Sequence, residues 1–183
     1  GCYGYLRRQK KTEIIRTILY FALSLAIFIM GYLSTGTKAN LLTIVAVLGS
    51  LPASKSMVSM IMYLKAGVCS PDCYAMAQSV DPDGTLLLYD LYLTSYRNNF
   101  QISVMAVKNN TVCGYTEDGK CDLLAGEKHI SEILQQSGYG GVTVKLFGNP
   151  EKFRERLTAL CGASEKAQEK DEAVAQVIKD ISL

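Results

Sequence analysis

From Ile14 to Pro71 the chain carries no acidic residue, and inside that window lie two long apolar stretches, Ile18–Leu33 and Leu41–Leu64. Few folds accommodate such runs side by side. The first, ILYFALSLAIFIMGYL, is uncharged, and with Ile14 and Ile15 before Arg16 it is long enough to cross roughly 30 Å of hydrocarbon as a helix. Two such runs joined by a short polar connection predict a transmembrane helix hairpin with spans at 14–34 and 41–62.

Charge orients the hairpin. Residues 1–65 hold eight Lys and Arg against one acid, whereas residues 66–183 hold eleven against sixteen, so the total of +2 conceals a basic start and an acidic remainder. Arg7, Arg8, Lys10, Lys11 and Arg16 precede the first apolar stretch, and the connection Ser34–Asn40 has only Lys38. The positive-inside bias then puts both termini on the cytoplasmic side of the cell (inner or plasma) membrane. The expected organisation is a basic cytoplasmic N-terminus (1–13), the hairpin (14–65) and a cytoplasmic α+β domain (66–183). A secretory signal has the same basic-then-apolar order, but this run is too long for one and no small-residue cleavage site ends it.

Pro52 and Lys55 interrupt the second stretch. If that helix enters the bilayer near Leu41, Lys55 lies about 21 Å deeper, close enough to the far interface for its stem to snorkel. The alternative reading is a contact site for an anionic lipid or a partner carboxylate. Ser50 and Ser54 are positioned to satisfy the carbonyl that Pro52 frees. Ala46, Gly49, Ser50 and Ala53 fall at i, i+3, i+4 and i+7 and form a small-residue face that allows close helix approach. Its partner is either the first helix, through Ala22 and Ala26, or a second copy of the chain.

Past Gly67 the pattern changes. Cys69-Ser-Pro-Asp-Cys73 opens a short helix that ends at the turn Asp81-Pro-Asp-Gly84. Leu86–Thr94 and Phe100–Val107 read as strands paired across the bend Ser95–Asn99, with Thr111–Thr116 a third beyond Asn109-Asn110. Asp122 caps a helix through Gln136, with Gly126 its weak point, and Val142–Phe147 is a fourth strand. Asn149-Pro150 starts another helix, and 164–183 forms the last. The order is αβββαβαα, an α+β domain with helices covering a mixed or antiparallel sheet.

That order, together with Leu87-Leu-Tyr-Asp-Leu-Tyr-Leu93, the run Phe100–Gly114, an amphipathic helix and Val142-Thr-Val-Lys-Leu-Phe147, resembles the core of the NERD (nuclease-related) domain of the restriction-endonuclease-like fold. The resemblance covers residues 70–160. It implies a divalent metal held by a strand aspartate and a Glu-x-Lys on the next strand, which activates water for phosphodiester cleavage. Asp90 matches the aspartate and Lys108 the lysine, but the triplet reads Ala106-Val107-Lys108, and Ala106 offers no oxygen to Mg²⁺. The acidic balance of the domain also opposes a grip on a phosphate backbone. This leaves either an inactive relative reused for contact or two ordinary strand residues.

Six cysteines raise disulfide and metal chemistry. Cytoplasmic placement argues against disulfides. Cys69-x3-Cys73 and Cys113-x7-Cys121 do not match zinc-ribbon or zinc-finger spacing, and His129, expected on a helix surface, adds one ligand at most. Cys113 and Cys161 read as small buried hydrophobes, and Cys2 as a possible lipid acceptor by location alone. No nucleophile elbow or phosphate-cradling glycine loop is present. The reading is therefore a two-span membrane protein whose non-catalytic domain acts as an adaptor or assembly subunit. Its expected partners are membrane lipids and a protein, self-association included, with no cofactor, no metal and no nucleic acid. The alternatives are a membrane-tethered nuclease-like or nucleic-acid-binding module, with Asp90 and Lys108 at its site, and a lipid-interacting or transport hairpin centred on Lys55.

Overall fold

The computed structural model describes residues 2–37, 40–80, 85–95, 98–162 and 169–182. Lys38, the turn expected at 81–84, the middle of the bend at 95–99 and the start of the last helix lie outside the described residues. The chain divides into two compact units, Leu6–Ala66 and Gly1–Tyr5 with Gly67–Leu183. Residues 2–5 thus group with the α+β domain.

In the helical unit, α1 spans Tyr5–Thr35 and α2 spans Leu41–Lys65. Both are long and apolar enough to cross a membrane. Helix α1 starts nine residues before the expected span and takes in the basic cluster; its 31 residues extend about 46 Å, well beyond a hydrocarbon core of about 30 Å. Helix α2 is capped by Asn40, whose side chain accepts the N–H of Thr43 at 2.8 Å. It continues through Pro52. Ser50 Oγ donates to Val47 O and Ser54 Oγ to Ser50 O, so these hydroxyls serve neighbouring carbonyls and not the Leu48 carbonyl opposite the proline ring.

The two helices meet along a seam of small and hydroxyl side chains. Ser24 Oγ donates to Ala46 O at 2.7 Å, and the hydroxyls of Thr17 and Ser56 bond at 2.9 Å. A Cβ built on Gly31 would stand 2.7 Å from Leu42 Cβ, so glycine is what permits the approach there. Thr17, Ser24 and Gly31 are seven residues apart, the spacing that keeps one stripe turned toward a partner helix. Ala46 and Ala53 are buried, and Gly49 and Ser50 half-buried. Ala22 and Ala26 are exposed, so the stripe on α1 is not the one expected. At the open end of the pair, Lys10 Nζ donates to Ala66 O, the C-cap of α2, where a cation meets the negative end of the helix.

The second unit contains α3 (Pro71–Val80), β1 (Leu86–Thr94), β2 (Asn99–Lys108), β3 (Thr111–Tyr115), α4 (Leu123–Gln136), β4 (Thr143–Phe147), α5 (Pro150–Cys161) and α6 (Glu169–Asp180). The sheet order is β1-β2-β3-β4, antiparallel through β3 and then parallel between β3 and β4. A parallel pair needs a crossover, and α4 supplies it. One face of the sheet packs with α4 and α6 around Leu88, Phe100, Met105, Ile130 and Ile178; the other packs with α3 and α5 around Tyr89, Val104, Cys113, Phe153 and Leu157. Gly126 has a packing reason: a Cβ there would lie 2.8 Å from Leu146 Cδ1.

The β2–β3 turn is Asn109-Asn110, both with positive φ (49° and 53°), as a two-residue hairpin of primed type requires. Their successive N–H groups donate to the two carboxylate oxygens of buried Asp171, at 3.1 and 3.2 Å. Asp171 lies in the first turn of α6, so this pair of bonds ties that helix to the hairpin.

Candidate functional site at the start of α3

The site begins with a fault in β1. Leu86 and Leu88 face α4 and α6, and so do Leu91 and Leu93, although strict alternation would turn the second pair away. The slip occurs at Asp90, whose φ of 56° is left-handed and which interrupts the register between Tyr89↔Val104 and Leu91↔Ile102. Its carboxylate, 3% exposed, accepts two backbone N–H groups at 2.8 Å each: Cys69 on Oδ1 and Gly4 on Oδ2. These charge-assisted bonds offset the cost of the strained backbone and of burying the charge.

Cys69 leads directly into α3. Ser70 caps that helix: its Oγ accepts the N–H of Cys73 at 3.1 Å and its carbonyl accepts the N–H of Tyr74, with Pro71 as the first helical residue. The N–H and hydroxyl of Ser70 donate in turn to Glu117, just past β3, at 3.0 and 2.6 Å. Local capping chemistry thus draws a distant carboxylate to the two thiols. The sulfurs of Cys69 and Cys73 and a carboxylate oxygen of Glu117 lie within 4.8 Å of one another, with both cysteines buried and Glu117 exposed. Beside them Tyr3 stacks on Tyr74 with ring centres 4.2 Å apart and meets Tyr89 edge-on at 6.2 Å, which docks the N-terminal residues onto this unit.

The surroundings of Cys73 oppose a free thiolate. Its hydrogen bond with Cys69, then burial, then the charges of Cys69, Glu117 and Asp90 all push its thiol well above the usual range. A thiol held protonated is a poor nucleophile at neutral pH.

The residues expected at a nuclease-like site do not converge. Asp90 falls opposite Ser103, while Lys108 lies one residue beyond the Val107–Leu86 pair, five positions and about 17 Å along the strands. Lys108 is buried, and its Nζ donates at 3.4 Å to Cys161 O at the end of α5. Ala106 is fully buried between Leu87 and Cys113 on the neighbouring strands. Lys55 is exposed on α2, and Ala46, Gly49, Ser50 and Ala53 belong to the helix seam described above. His129 is half-buried with its ring 5.6 Å from Phe100, not free on the surface.

Ser70 before Pro71 carried a helix-start signal, but nothing along the chain tied it to Glu117. The Cys69-x3-Cys73 pair was visible, but its third neighbour lies 44 residues beyond Cys73, outside any spacing rule. No protein-family model, curated protein or solved structure matches the chain.

Proposed function

We propose that the chain is a two-span membrane protein, both termini cytoplasmic, whose α+β domain works by binding and not by catalysis. The observation that carries the membrane half of this reading is the outward apolar surface of α1 and α2. Leu19, Leu33, Leu41 and Leu51 are each more than 60% exposed, and a soluble helix pair would have to hide such side chains. Lys55, exposed on the same helix, is then a snorkelling residue at the inner interface. The non-catalytic half rests on Asp90, whose two oxygens are committed to backbone amides, and on its separation from Lys108. The αβββαβα order across residues 71–161 supports a nuclease-related fold reused for contact.

Two measurements test the reading. Reporter fusions at Thr37 and Leu183 are expected to report outside and inside, and the reverse would overturn the topology. The full chain in detergent with Mg²⁺ is expected to leave DNA intact; cleavage abolished by Lys108→Ala would overturn the binding role. Co-purification from native membranes then identifies the protein partner, and recovery of the chain alone as a stable oligomer would assign that role to a second copy.

A further inference from the structure

We propose that Cys69, Cys73 and Glu117 form a binding site for a borderline-soft divalent cation of the zinc class, with three protein ligands and a fourth position open to water. The site goes beyond the membrane-adaptor reading and stands independently of whether the helices cross a bilayer.

The three donor atoms come from the segment before α3, from its first turn and from the loop after β3, yet they lie within 4.8 Å of one another. A tetrahedral centre with metal–sulfur bonds of about 2.3 Å has sulfur–sulfur edges of about 3.8 Å, so closure onto a cation needs movements of only about 1 Å. Two thiols and one carboxylate select zinc over magnesium or calcium, which prefer all-oxygen shells.

The outer shell is already built. Each Glu117 oxygen accepts one hydrogen bond from Ser70, and each has a second lone pair left for a metal. The backbone of Cys69 is anchored on Asp90, and that of Cys73 on the Ser70 hydroxyl. Burial of both sulfurs shields them, while exposed Glu117 marks the side from which a hydrated cation enters. Binding exchanges the two thiol protons for two metal–sulfur bonds; the protons pass to solvent and no redox partner is needed.

The test uses the full chain in detergent, reduced and stripped with a chelator, titrated with Co²⁺ alone and then with Zn²⁺. The expected result is one equivalent of Co²⁺ with thiolate charge-transfer absorption, displaced by one equivalent of Zn²⁺. Release of two protons should accompany uptake. Cys73→Ser should weaken binding by more than about 100-fold, and Glu117→Gln by at least about 10-fold. Cys113→Ser should leave binding unchanged. Absence of one-equivalent uptake by the unaltered protein overturns the proposal without reference to any variant. So does uptake undiminished in a Cys69→Ser/Cys73→Ser double variant, or a Cys69–Cys73 disulfide in freshly isolated protein that carries no zinc.

Discussion

Ser70 donates both its backbone N–H and its hydroxyl to Glu117, at 3.0 and 2.6 Å, while the same hydroxyl accepts the N–H of Cys73. One side chain therefore caps α3 and fastens it to the end of β3. Ser70→Ala removes the cap and one of the two bonds to Glu117. A loss of about 1–2 kcal/mol in stability is expected, read as a lower urea midpoint of the full chain in detergent. Ser70→Thr, which keeps the hydroxyl, should recover most of it.

Asp171 makes a comparable clamp with the Asn109-Asn110 turn. Asp171→Ala leaves two N–H groups of that turn without their buried acceptor and is expected to cost about 3 kcal/mol; Asp171→Asn, which keeps one acceptor oxygen, should cost less. Near-UV circular dichroism through a urea titration would rank the two variants, and equal losses would show that the carboxylate does not act through both bonds.

Within the helical unit, Gly31→Ala places a methyl 2.7 Å from Leu42 Cβ, and α2 must shift away. Loss of the close approach should also weaken the Ser24–Ala46 bond in the same seam. Cysteine pairs introduced at exposed positions flanking the seam should cross-link more slowly in the variant than in the parent. An unchanged rate would mean that the seam tolerates the extra carbon.

Alkaline pH offers a readout of the Tyr89 environment. Burial is the main cause that pushes its phenol from the ordinary 10 up to about 12, with the Gln78 hydrogen bond acting in the opposite direction. The folded state therefore keeps a proton that the unfolded chain has already lost. The contribution of this group is complete below pH 10 and falls by about 2 kcal/mol as pH rises to 12. Tyr89→Phe should remove that component of the pH dependence, as seen in urea midpoints taken between pH 9 and 12.

The order of elements could be read along the chain because its signals are local. Asn149-Pro150 starts α5, Asn109-Asn110 makes the hairpin, and apolar runs of very different lengths separate the long helices from the strands. The seam between α1 and α2 was half legible. The small residues of α2 stand out by spacing, but Thr17 and Ser24 do not, because a hydroxyl in an apolar helix reads equally well as a lapse or as a contact. Asp90 illustrates the opposite case: the string Leu-Leu-Leu-Tyr-Asp-Leu-Tyr-Leu contains the phase slip in plain view, yet only the fold shows that Gly4 and Cys69 supply the amides that hold it.

Composition and charge by themselves determined that this chain carries two apolar helices ahead of an acidic α+β unit, since the length of an apolar run and net charge are properties of contiguous residues. Tertiary structure alone decided that Asp90 and Lys108 stand apart and that Glu117 joins Cys69 and Cys73. Strand register and the Ser70–Glu117 bonds set those distances, and neither leaves a mark on neighbouring residues in the sequence.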